Sequence, residues 1–534
     1  MRPVVVCLPL VVLAIGISAP ARGDSALAQH AYLKGMSVGT SDNFGKTVAV
    51  SGDTLVVGSP GEDSTLPGIN GGGGHQSGAV FVFVRDGGGW RLQAHLKASN
   101  SGASDEFGWS VAISGDTLVV GAHDEDGSND SLGASGAAYV FVREGTTWSE
   151  QAYLKASNAE VSDRFGYAVA VSGETVVVTS RGESSDATGV NGDEANNNAQ
   201  ASGAAYVFVR DGTAWSQQAY LKSSRNQAGQ QFGVSVGVSG DSVVVGAYGE
   251  DGYTGAVYVF VRDGTTWLQQ ARLRSSNPGQ LDQFGAALVI AGDTLVVGAA
   301  GEDGGGTDAG AAYVFVHDGS EWEQQALLTA SNSSRFDSFG SSVAIAGDQM
   351  VIGASSEDSA AVGVHSAGED DGGAPDAGAA YLFVRDGTGW SQTAYLKASN
   401  TGERDGFGSS VGIAADTVIV GAPRESSRAT GINGNGLDNT MRWSGAAYVF
   451  GLEVSTLGQI TSITRTPGGL QLTMPAAPGR RIGIEYSPDL TPGSWIELGN
   501  FFDQGQEVMF IDPDLLRRTR PAGFYRAFLR PLLP

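Results

Sequence analysis

The dipeptide Phe-Gly occurs seven times, and the residues that follow each copy obey one pattern. In the second copy the chain runs Phe-Gly-Trp-Ser-Val-Ala-Ile-Ser-Gly-Asp-Thr-Leu-Val-Val-Gly-Ala from Phe107, and Gly-Ala-Ala-Tyr-Val-Phe-Val-Arg from Gly136. Regular self-similarity of this kind is typical of one supersecondary unit that stacks on copies of itself. The seven copies begin at Phe44, Phe107, Phe165, Phe232, Phe284, Phe339 and Phe407.

Each copy predicts four β-strands. Gly-Asp separates the first strand from the second, and Asp-Gly or Glu-Gly separates the third from the fourth; both pairs suit tight hairpin turns. The second and third strands are apolar without alternation, which indicates burial on both faces. Small four-stranded sheets with two apolar faces must stack, and radial stacking produces a propeller. In the second copy the predicted strands are Val111 to Ser114, Thr117 to Ala122, Ala137 to Arg143 and Trp148 to Lys155.

The two ends of the repeat region are offset by one strand. A fourth strand with the pattern Ala-x-Leu-x precedes the first Phe-Gly at Ala31, whereas the last copy stops after its third strand at Tyr448-Val-Phe. The strand at Ala31 to Lys34 is therefore predicted to complete the seventh blade and to close the ring, which leaves no sheet edge open. We predict an all-β fold in which residues 28–452 form a closed, monomeric, seven-bladed β-propeller.

Phe407-Gly408 followed by Gly421-Ala422-Pro423 resembles the FG-GAP repeat. This repeat builds the N-terminal propeller of integrin α subunits and occurs in many exported bacterial proteins. The resemblance implies a seven-bladed propeller that binds a partner outside the cell. Integrin-type copies often carry an Asp-x-Asp-x-Asp-Gly calcium loop between the first two strands, but here a tight turn such as Ser51-Gly52-Asp53 takes its place. That calcium site therefore does not transfer to this chain.

Residues 1–21 have the pattern of a secretory signal peptide. Arg2 supplies a positive charge, Val4 to Ser18 is largely apolar, and Ala19-Pro20-Ala21 is a small-x-small cleavage pattern. The single cysteine, Cys7, lies in the segment that would be removed, so the mature chain is expected to lack thiols and disulfides. We expect a secreted protein, extracellular or at the cell surface, without a membrane span.

Residues 455–534 differ in composition from the repeats. They contain eight basic and seven acidic residues, so the excess acidity behind the net charge of −25 lies upstream. Short alternating runs at Gly469 to Thr473, Ile482 to Tyr486 and Trp495 to Leu498 predict a small C-terminal β-sandwich, an accessory module. The strongly acidic chain is not suited to bind nucleic acid or anionic membranes.

One rim of the propeller is predicted to carry function. The 1–2 and 3–4 turns are tight, whereas the 2–3 and 4–1 loops vary and include long insertions at residues 65–77, 184–202, 359–376 and 426–444. Variable loops on a rigid scaffold commonly bind ligands. We call this side the variable rim and the other the tight rim. Exposed aromatic rings would favour a glycan, and the candidates on the variable rim are Tyr248, Tyr253 and Trp443.

A glutamate recurs near the end of every second strand, and in five copies an aspartate follows it directly. These repeat glutamates either accept hydrogen bonds from their own loops or form a ring of oxygen ligands for Ca²⁺, a possible cofactor. The seven glutamates are Glu62, Glu125, Glu183, Glu250, Glu302, Glu357 and Glu425, and the aspartates are Asp63, Asp126, Asp251, Asp303 and Asp358. A second acid precedes Phe-Gly and is interpreted as a strand-entry cap: Asp42, Asp105, Asp163, Asp282, Asp337 and Asp405, with Gln230 in the fourth copy.

No catalytic constellation emerges from the sequence. Gly233-Val-Ser-Val-Gly237 and Gly408-Ser-Ser-Val-Gly412 match the serine-hydrolase elbow, but both lie in first strands with no helix after them. The six histidines share no repeat position. We therefore predict a non-catalytic binding or adhesion module for an extracellular protein or glycan. The alternatives are a glycan-active enzyme that uses carboxylates of the variable rim, and a purely structural surface protein.

Overall fold

The computed structural model describes residues 27–64, 75–86, 89–127, 131–365 and 372–452, and six further strands between residues 462 and 530. The predicted signal peptide at residues 1–21 lies outside the described residues. Within the described part the molecule is almost entirely β-structure, with one short helical turn, α1, at Glu250–Tyr253.

The first three blades are four-stranded antiparallel sheets whose strands follow chain order. In the second blade the strands match those predicted from its sequence to within one residue at each end. The first blade consists of β2 (Thr47–Ser51), β3 (Thr54–Ser59), β4 (Ala79–Asp86) and β5 (Gly89–Leu96); the second of β6 (Ser110–Ser114), β7 (Thr117–Ala122), β8 (Ala137–Glu144) and β9 (Thr147–Leu154); the third of β10 (Phe165–Ser172), β11 (Thr175–Ser180), β12 (Ala204–Asp211) and β13 (Ala214–Leu221).

The next three blades repeat this arrangement, and the sixth gains a short fifth strand at its outer edge. The fourth blade consists of β14 (Val236–Ser239), β15 (Ser242–Ala247), β16 (Ala256–Asp263) and β17 (Thr266–Leu273); the fifth of β18 (Ala287–Ala291), β19 (Thr294–Ala299), β20 (Ala311–His317) and β21 (Trp322–Leu328); the sixth of β22 (Phe339–Ala346), β23 (Gln349–Ala354), β24 (Val364–His365), β25 (Ala379–Asp386) and β26 (Gly389–Leu396).

The seventh blade joins the two ends of the repeat region. Its inner strands are β27 (Ser410–Ala414), β28 (Thr417–Ala422) and β29 (Ala446–Leu452), and its outer strand is β1 (Leu27–Leu33). β1 runs antiparallel to β29, with Leu27 opposite Leu452 and Leu33 opposite Ala447. The predicted ring closure is thus confirmed, and with it the seven-bladed propeller.

The core lies between neighbouring blades. Every residue of β7 and of β19 is buried, as expected for strands covered on both faces. In the contact between the first two blades, Val56 and Val80 pack with Leu118 and Tyr139. Small and β-branched side chains on the inner strands allow sheets to approach face to face, so each blade is stabilised by the burial of its neighbours.

The tight rim is held by a repeated set of polar contacts. The Trp148 indole N–H donates to Gln93 Oε1 of the preceding blade at 2.8 Å, and the Arg143 guanidinium lies over the Trp148 ring. Arg143 also pairs with Asp116 of the 1–2 turn at 2.6 Å. The tryptophan-to-glutamine hydrogen bond recurs at Trp215, Trp267, Trp322 and Trp390. Side chains on this rim are engaged in joining the blades.

Beyond residue 452 the described strands form two three-stranded antiparallel sheets. They include the runs predicted as strands, except for Trp495, which lies outside the described residues. The packing of a β-sandwich stays a prediction. The strands are β30 (Ser462–Thr466), β31 (Gly469–Met474), β32 (Arg481–Ser487), β33 (Ile496–Phe502), β34 (Val508–Asp512) and β35 (Phe524–Arg530). Among all described residues, no helix has the length and apolar character needed to cross a membrane.

Deleting Ala28 to Lys34 should open the ring. The deletion removes most of β1 and the Lys34 ammonium, which lies 2.7 Å from the buried Glu425 carboxylate. Loss of that partner alone should cost about 3–5 kcal/mol, and the exposed edge of β29 should promote self-association. Thermal melts and sedimentation measure both effects, and a synthetic peptide of residues 27–34 should reverse them. A truncated chain that melts and sediments like the full one would refute the closure.

Candidate functional site

The repeat glutamates lie on the variable rim, but their side chains point into the protein. All seven are buried, with relative exposures of 4 % or less. A buried carboxylate needs a cation or several hydrogen-bond donors to offset the loss of hydration. The first question about this site is therefore what each carboxylate contacts.

Six of the seven repeat glutamates are paired with a cation that lies in the fourth strand of the same blade or directly after it. In the first blade Lys97 Nζ lies 2.6 Å from Glu62, and in the sixth Lys397 Nζ lies 2.7 Å from Glu357. Both lysine side chains are fully buried. The remaining pairs are Glu125 with Lys155, Glu183 with Lys222, Glu250 with Arg272 and Glu425 with Lys34. The repeat thus supplies its own counter-ion for the carboxylate.

The same carboxylates also hold the loops of the variable rim. The backbone N–H of Gly127, in the 2–3 loop, donates to Glu125 at 2.9 Å, and the Asn100 amide of the preceding 4–1 loop donates to it at 2.8 Å. Asn100 in turn accepts the Tyr139 hydroxyl of the third strand. Each glutamate therefore ties three separate segments together. These contacts support the architectural interpretation of the repeat glutamates.

The fifth blade is the exception among the described blades. Thr329 occupies the position of the lysine, and Glu302 has no cation within ion-pair distance. Glu302 keeps the two neutral contacts, with the Asn277 amide at 2.7 Å and the Gly304 backbone N–H at 2.8 Å. The chain therefore contains its own comparison between a paired and an unpaired repeat glutamate.

In several blades the aspartate that follows the glutamate accepts a backbone hydrogen bond from its own loop. Asp126 accepts the Ala134 backbone N–H at 2.7 Å, Asp303 accepts that of Asp308 at 2.9 Å, and Asp358 accepts that of Asp376 at 2.9 Å. Asp251 pairs with Arg274 at 2.8 Å, and Asp63 is exposed. Ca²⁺ binding by these carboxylates stays a prediction.

The acids before Phe-Gly act as caps of the 4–1 turn. Asp163 accepts the Glu160 backbone N–H at 2.8 Å, and in the fourth blade Gln230 replaces the acid and accepts the Gln227 N–H at 3.2 Å. Burial, with the nearby Glu183 and Glu160 carboxylates as smaller causes, raises the pKa of Asp163 to about 7. Burial likewise raises the pKa of Asp405 to about 7 and that of Asp42 to about 6.

The aromatic candidates lie at two places on the variable rim. Tyr248 and Tyr253 are in contact in the fourth blade, with ring centroids 5.5 Å apart, whereas Trp443 belongs to the loop that meets the first blade. Tyr253 and Trp443 occupy the same repeat position and both have positive φ. Both rings remain 38 % exposed. The other copies place Gln76, Ala134, Ala201, Asp308 and Asp376 there.

The mouth of the central channel contains functional candidates that the repeat pattern did not indicate. First strands from all seven blades line a channel of about 400 Å³. Two positions per blade define its end at the variable rim: the residue after Phe-Gly, which lines the channel, and the residue that follows the second strand, of which His123 and Arg181 contact the first set. Together they form what we call the channel mouth. The first set is Lys46, Trp109, Tyr167, Val234, Ala286, Ser341 and Ser409; the second is Pro60, His123, Arg181, Tyr248, Ala300, Ser355 and Pro423.

The channel mouth is asymmetric in the size and polarity of its side chains. Large polar and aromatic groups come from the first four blades, whereas blades five to seven contribute mainly Ala and Ser. The Trp109 and His123 rings stack at 4.2 Å, and the Lys46 ammonium lies 4.7 Å from the Trp109 ring. Arg181 lies over the Tyr167 ring at 4.3 Å and donates to its hydroxyl. A position-by-position comparison of the seven copies could have exposed this difference.

The acids and cations at this mouth perturb one another. Burial, reinforced by Arg164, Arg181 and Lys46, lowers the pKa of His123 to about 3, so the ring is neutral. Burial and the Asp124 carboxylate raise the pKa of Glu106 to about 7. Glu106, His123 and Asp124 could together offer three metal ligands, but the three neighbouring cations disfavour a divalent ion.

A comparison with known protein families identifies the repeats. A family model described as the FG-GAP repeat matches seven segments, at residues 29–83, 90–141, 148–208, 215–260, 267–315, 322–383 and 390–450. The first segment contains β1 to β4, so a repeat in sequence starts in one blade and continues in the next. A comparison with curated proteins finds no match.

Glu357→Gln should destabilise the propeller much more than Glu302→Gln. The first substitution leaves Lys397 buried without a counter-ion, which should cost about 3–5 kcal/mol. The second removes no ion pair and should cost about 1 kcal/mol. Chemical denaturation gives both free energies of unfolding. Equal losses would show that the ion pair is not what makes the repeat glutamate important.

Asp163→Asn should change how stability depends on pH. Because the folded-state pKa of Asp163 lies above its unfolded value, this group stabilises the fold at pH 4 and below, and that contribution is lost as the pH rises through 7. Asparagine cannot titrate, so the variant should lose less stability than the unmodified protein between pH 4 and pH 8. Denaturation at four pH values tests this, with Asp293→Asn on the tight rim as the control. Parallel curves would contradict it.

Proposed function

Because the chain belongs to the FG-GAP repeat family, we propose that it is a secreted, non-catalytic module that binds an extracellular protein or glycan through its variable rim. The FG-GAP propeller fits a binding or adhesion role, and such repeats are typical of extracellular proteins. The signal-peptide pattern at residues 1–21 supports secretion. Pairing of β1 with β29, which covers the edge that the seventh blade would otherwise leave open, supports a monomer.

The asymmetry of the channel mouth is the main observation that supports this proposal. At most repeat positions the seven copies agree, since the fold requires the same contact in each blade. At the channel mouth they differ, and the large polar and aromatic groups gather on one side. A purely structural ring has no need of that difference, whereas a binding surface for an asymmetric ligand does.

The exposed aromatic rings extend this surface outward. Positive φ at Tyr253 and Trp443 is shared by the same position in the other five copies and belongs to the repeat, so the aromatic side chain is what distinguishes these two copies. Arg442 lies over the Trp443 ring at 4.0 Å, which adds a cation to the second ring. Partly exposed aromatic side chains beside polar groups are typical anchors of protein and glycan interfaces.

Calcium assistance is the second part of the proposal. Since six repeat glutamates and Asp251 already have a cation, the carboxylates left for Ca²⁺ are those of Glu302 and of the other four aspartates that follow the glutamates. Extracellular oxygen-ligand sites typically bind Ca²⁺ with a Kd around 10⁻⁴–10⁻³ M. Binding to the folded state would raise the melting temperature.

Arrays of glycans and of extracellular proteins, probed with the mature chain, test the proposal. Binding should fall about tenfold or more in Tyr253→Ser combined with Trp443→Ser. Leu268→Ser removes an exposed apolar side chain from the outer strand β17 and should leave binding unchanged. If Ca²⁺ assists, a chelator should weaken binding, and melts in Ca²⁺ should exceed melts in Na⁺ at equal ionic strength.

Three results would count against this function. An array without any partner, or binding that both sets of variants leave intact, would remove the variable rim as a binding surface. Reproducible turnover of a glycoside that one rim carboxylate variant abolishes would favour the enzyme alternative instead.

A further inference from the structure

Lys46 differs from every other lysine of the chain. The chain has six lysines, all among the described residues, and five of them pair with a repeat glutamate. Within the described residues no carboxylate lies at ion-pair distance from the Lys46 ammonium, and its recorded side-chain contact is the Trp109 ring. In a chain of net charge −25, an unpaired cation that lines a channel is unusual.

We propose that the channel mouth binds a carboxylate carried by a loop of a partner protein, with Lys46 as the group that binds it. This inference rests on the proposed function and names the chemistry of one subsite. The Lys46 ammonium is partly dehydrated because it lines the channel, and a charge-assisted hydrogen bond from it to the carboxylate would offset that loss.

The surrounding charges favour an anion. Burial, and less so the charge of Arg424, lowers the pKa of Lys46, while Arg164, Arg181 and Lys46 act on His123. The opposing acid, Glu106, has a pKa raised to about 7 and is partly protonated at neutral pH. Arg164 and Arg181 also line a second hollow, of about 360 Å³, beside the channel. Arg164 pairs with Asp124 at 3.6 Å, whereas Lys46, Arg181 and Arg424 have no carboxylate at ion-pair distance among the described residues. The mouth therefore has an excess of positive charge on an acidic protein, and such a surface attracts anions.

The aromatic rings favour a peptide carboxylate over an acidic sugar. A sugar would need a bare ring face to stack on. His123 stacks on Trp109, Lys46 lies over the same ring, and Arg181 covers Tyr167. These rings hold the cations in place and offer little free surface. The volume of about 400 Å³ is at the small end for ligand pockets, which suits one or two side chains.

The opposite wall leaves room for a loop to enter. Ala286, Ser341 and Ser409 stand where the first blades have Lys46, Trp109 and Tyr167. Small side chains there widen the channel on one side. The Ser341 and Ser409 hydroxyls donate to the Gly353 and Gly406 carbonyl oxygens and keep a lone pair that can accept a peptide N–H. An Asp or Glu side chain at the tip of a partner loop fits this combination of a fixed cation and an open polar wall.

Titration of the full chain with two short capped peptides tests the inference. One peptide carries a single central glutamate in a Gly-Ser sequence, and the other carries glutamine. The glutamate peptide should bind, the glutamine peptide should bind at least tenfold more weakly, and Lys46→Gln should lose about tenfold or more for the glutamate peptide. Arg91→Gln, on the outer strand β5 and away from the variable rim, should bind like the unmodified protein.

A second readout isolates the site. Acylation of Lys46 by an amine reagent, followed by mass spectrometry, should slow when the glutamate peptide is bound and not when the glutamine peptide is added. Equal binding of the two peptides, or a Lys46→Gln variant that loses nothing, would overturn the inference. So would a Lys46-dependent preference for an oligosaccharide of glucuronic acid, or for inorganic phosphate, over the glutamate peptide.

The outcomes also separate this inference from the broader function. An array partner that Lys46→Gln still binds at full strength would overturn the carboxylate subsite and leave the proposed function standing. Arrays without a partner would overturn the proposed function, and the peptide titration would still decide the subsite.

Discussion

The whole ring depends on the contact between each Phe-Gly and the glycine that precedes the third strand of the blade before it. Phe107 pairs with Gly78, and the last such contact, Phe44 with Gly445, crosses the closure. A Cβ on Gly78 would lie 2.1 Å from the Phe107 carbonyl oxygen, and Gly78 and Gly108 both have positive φ. Only glycine permits this approach. The Phe107 ring then packs edge-on against Tyr139 in its own blade, so one dipeptide fixes both the spacing of the blades and their cores.

Polar contacts add to the contact between Phe-Gly and the glycine of the preceding blade. The buried pair of Glu357 and Lys397 gains little over an apolar pair of the same volume, because both charges must be dehydrated. Its value is in geometry, since the carboxylate joins two loops and a strand that are far apart in sequence. With its loops held in this way, the variable rim can change side chains at the channel mouth without disturbing the blades. The fifth blade, where Glu302 lacks a cation, shows that the fold tolerates the loss of one such pair.

The sequence predicted the fold well because each repeat contains the residues that its own turns and strands require. Gly-Asp turns, doubly apolar strands and the orphan strand at Ala31 led to the correct blades and to the closure. It placed the repeat glutamates on the correct rim, but their partners required the register of the fourth strand, which brings Lys34 to Glu425 across 391 positions. The channel mouth was missed for the opposite reason. Comparing repeats highlights the residues they share, whereas Lys46, Trp109 and Arg181 matter because their counterparts differ.

The pairing of β1 with β29 has a consequence for the order in which the molecule forms. Leu27–Leu33 leaves the ribosome first among the described strands, but its partner, Ala446–Leu452, follows more than 400 residues later. At about 5–20 residues per second, the first strand waits for roughly 20–80 s before its hydrogen bonds can form. The six other blades contain strands that are close in sequence and can assemble as they emerge. Ring closure is therefore the last step in the assembly of the propeller, because it needs one strand from each end of the repeat array.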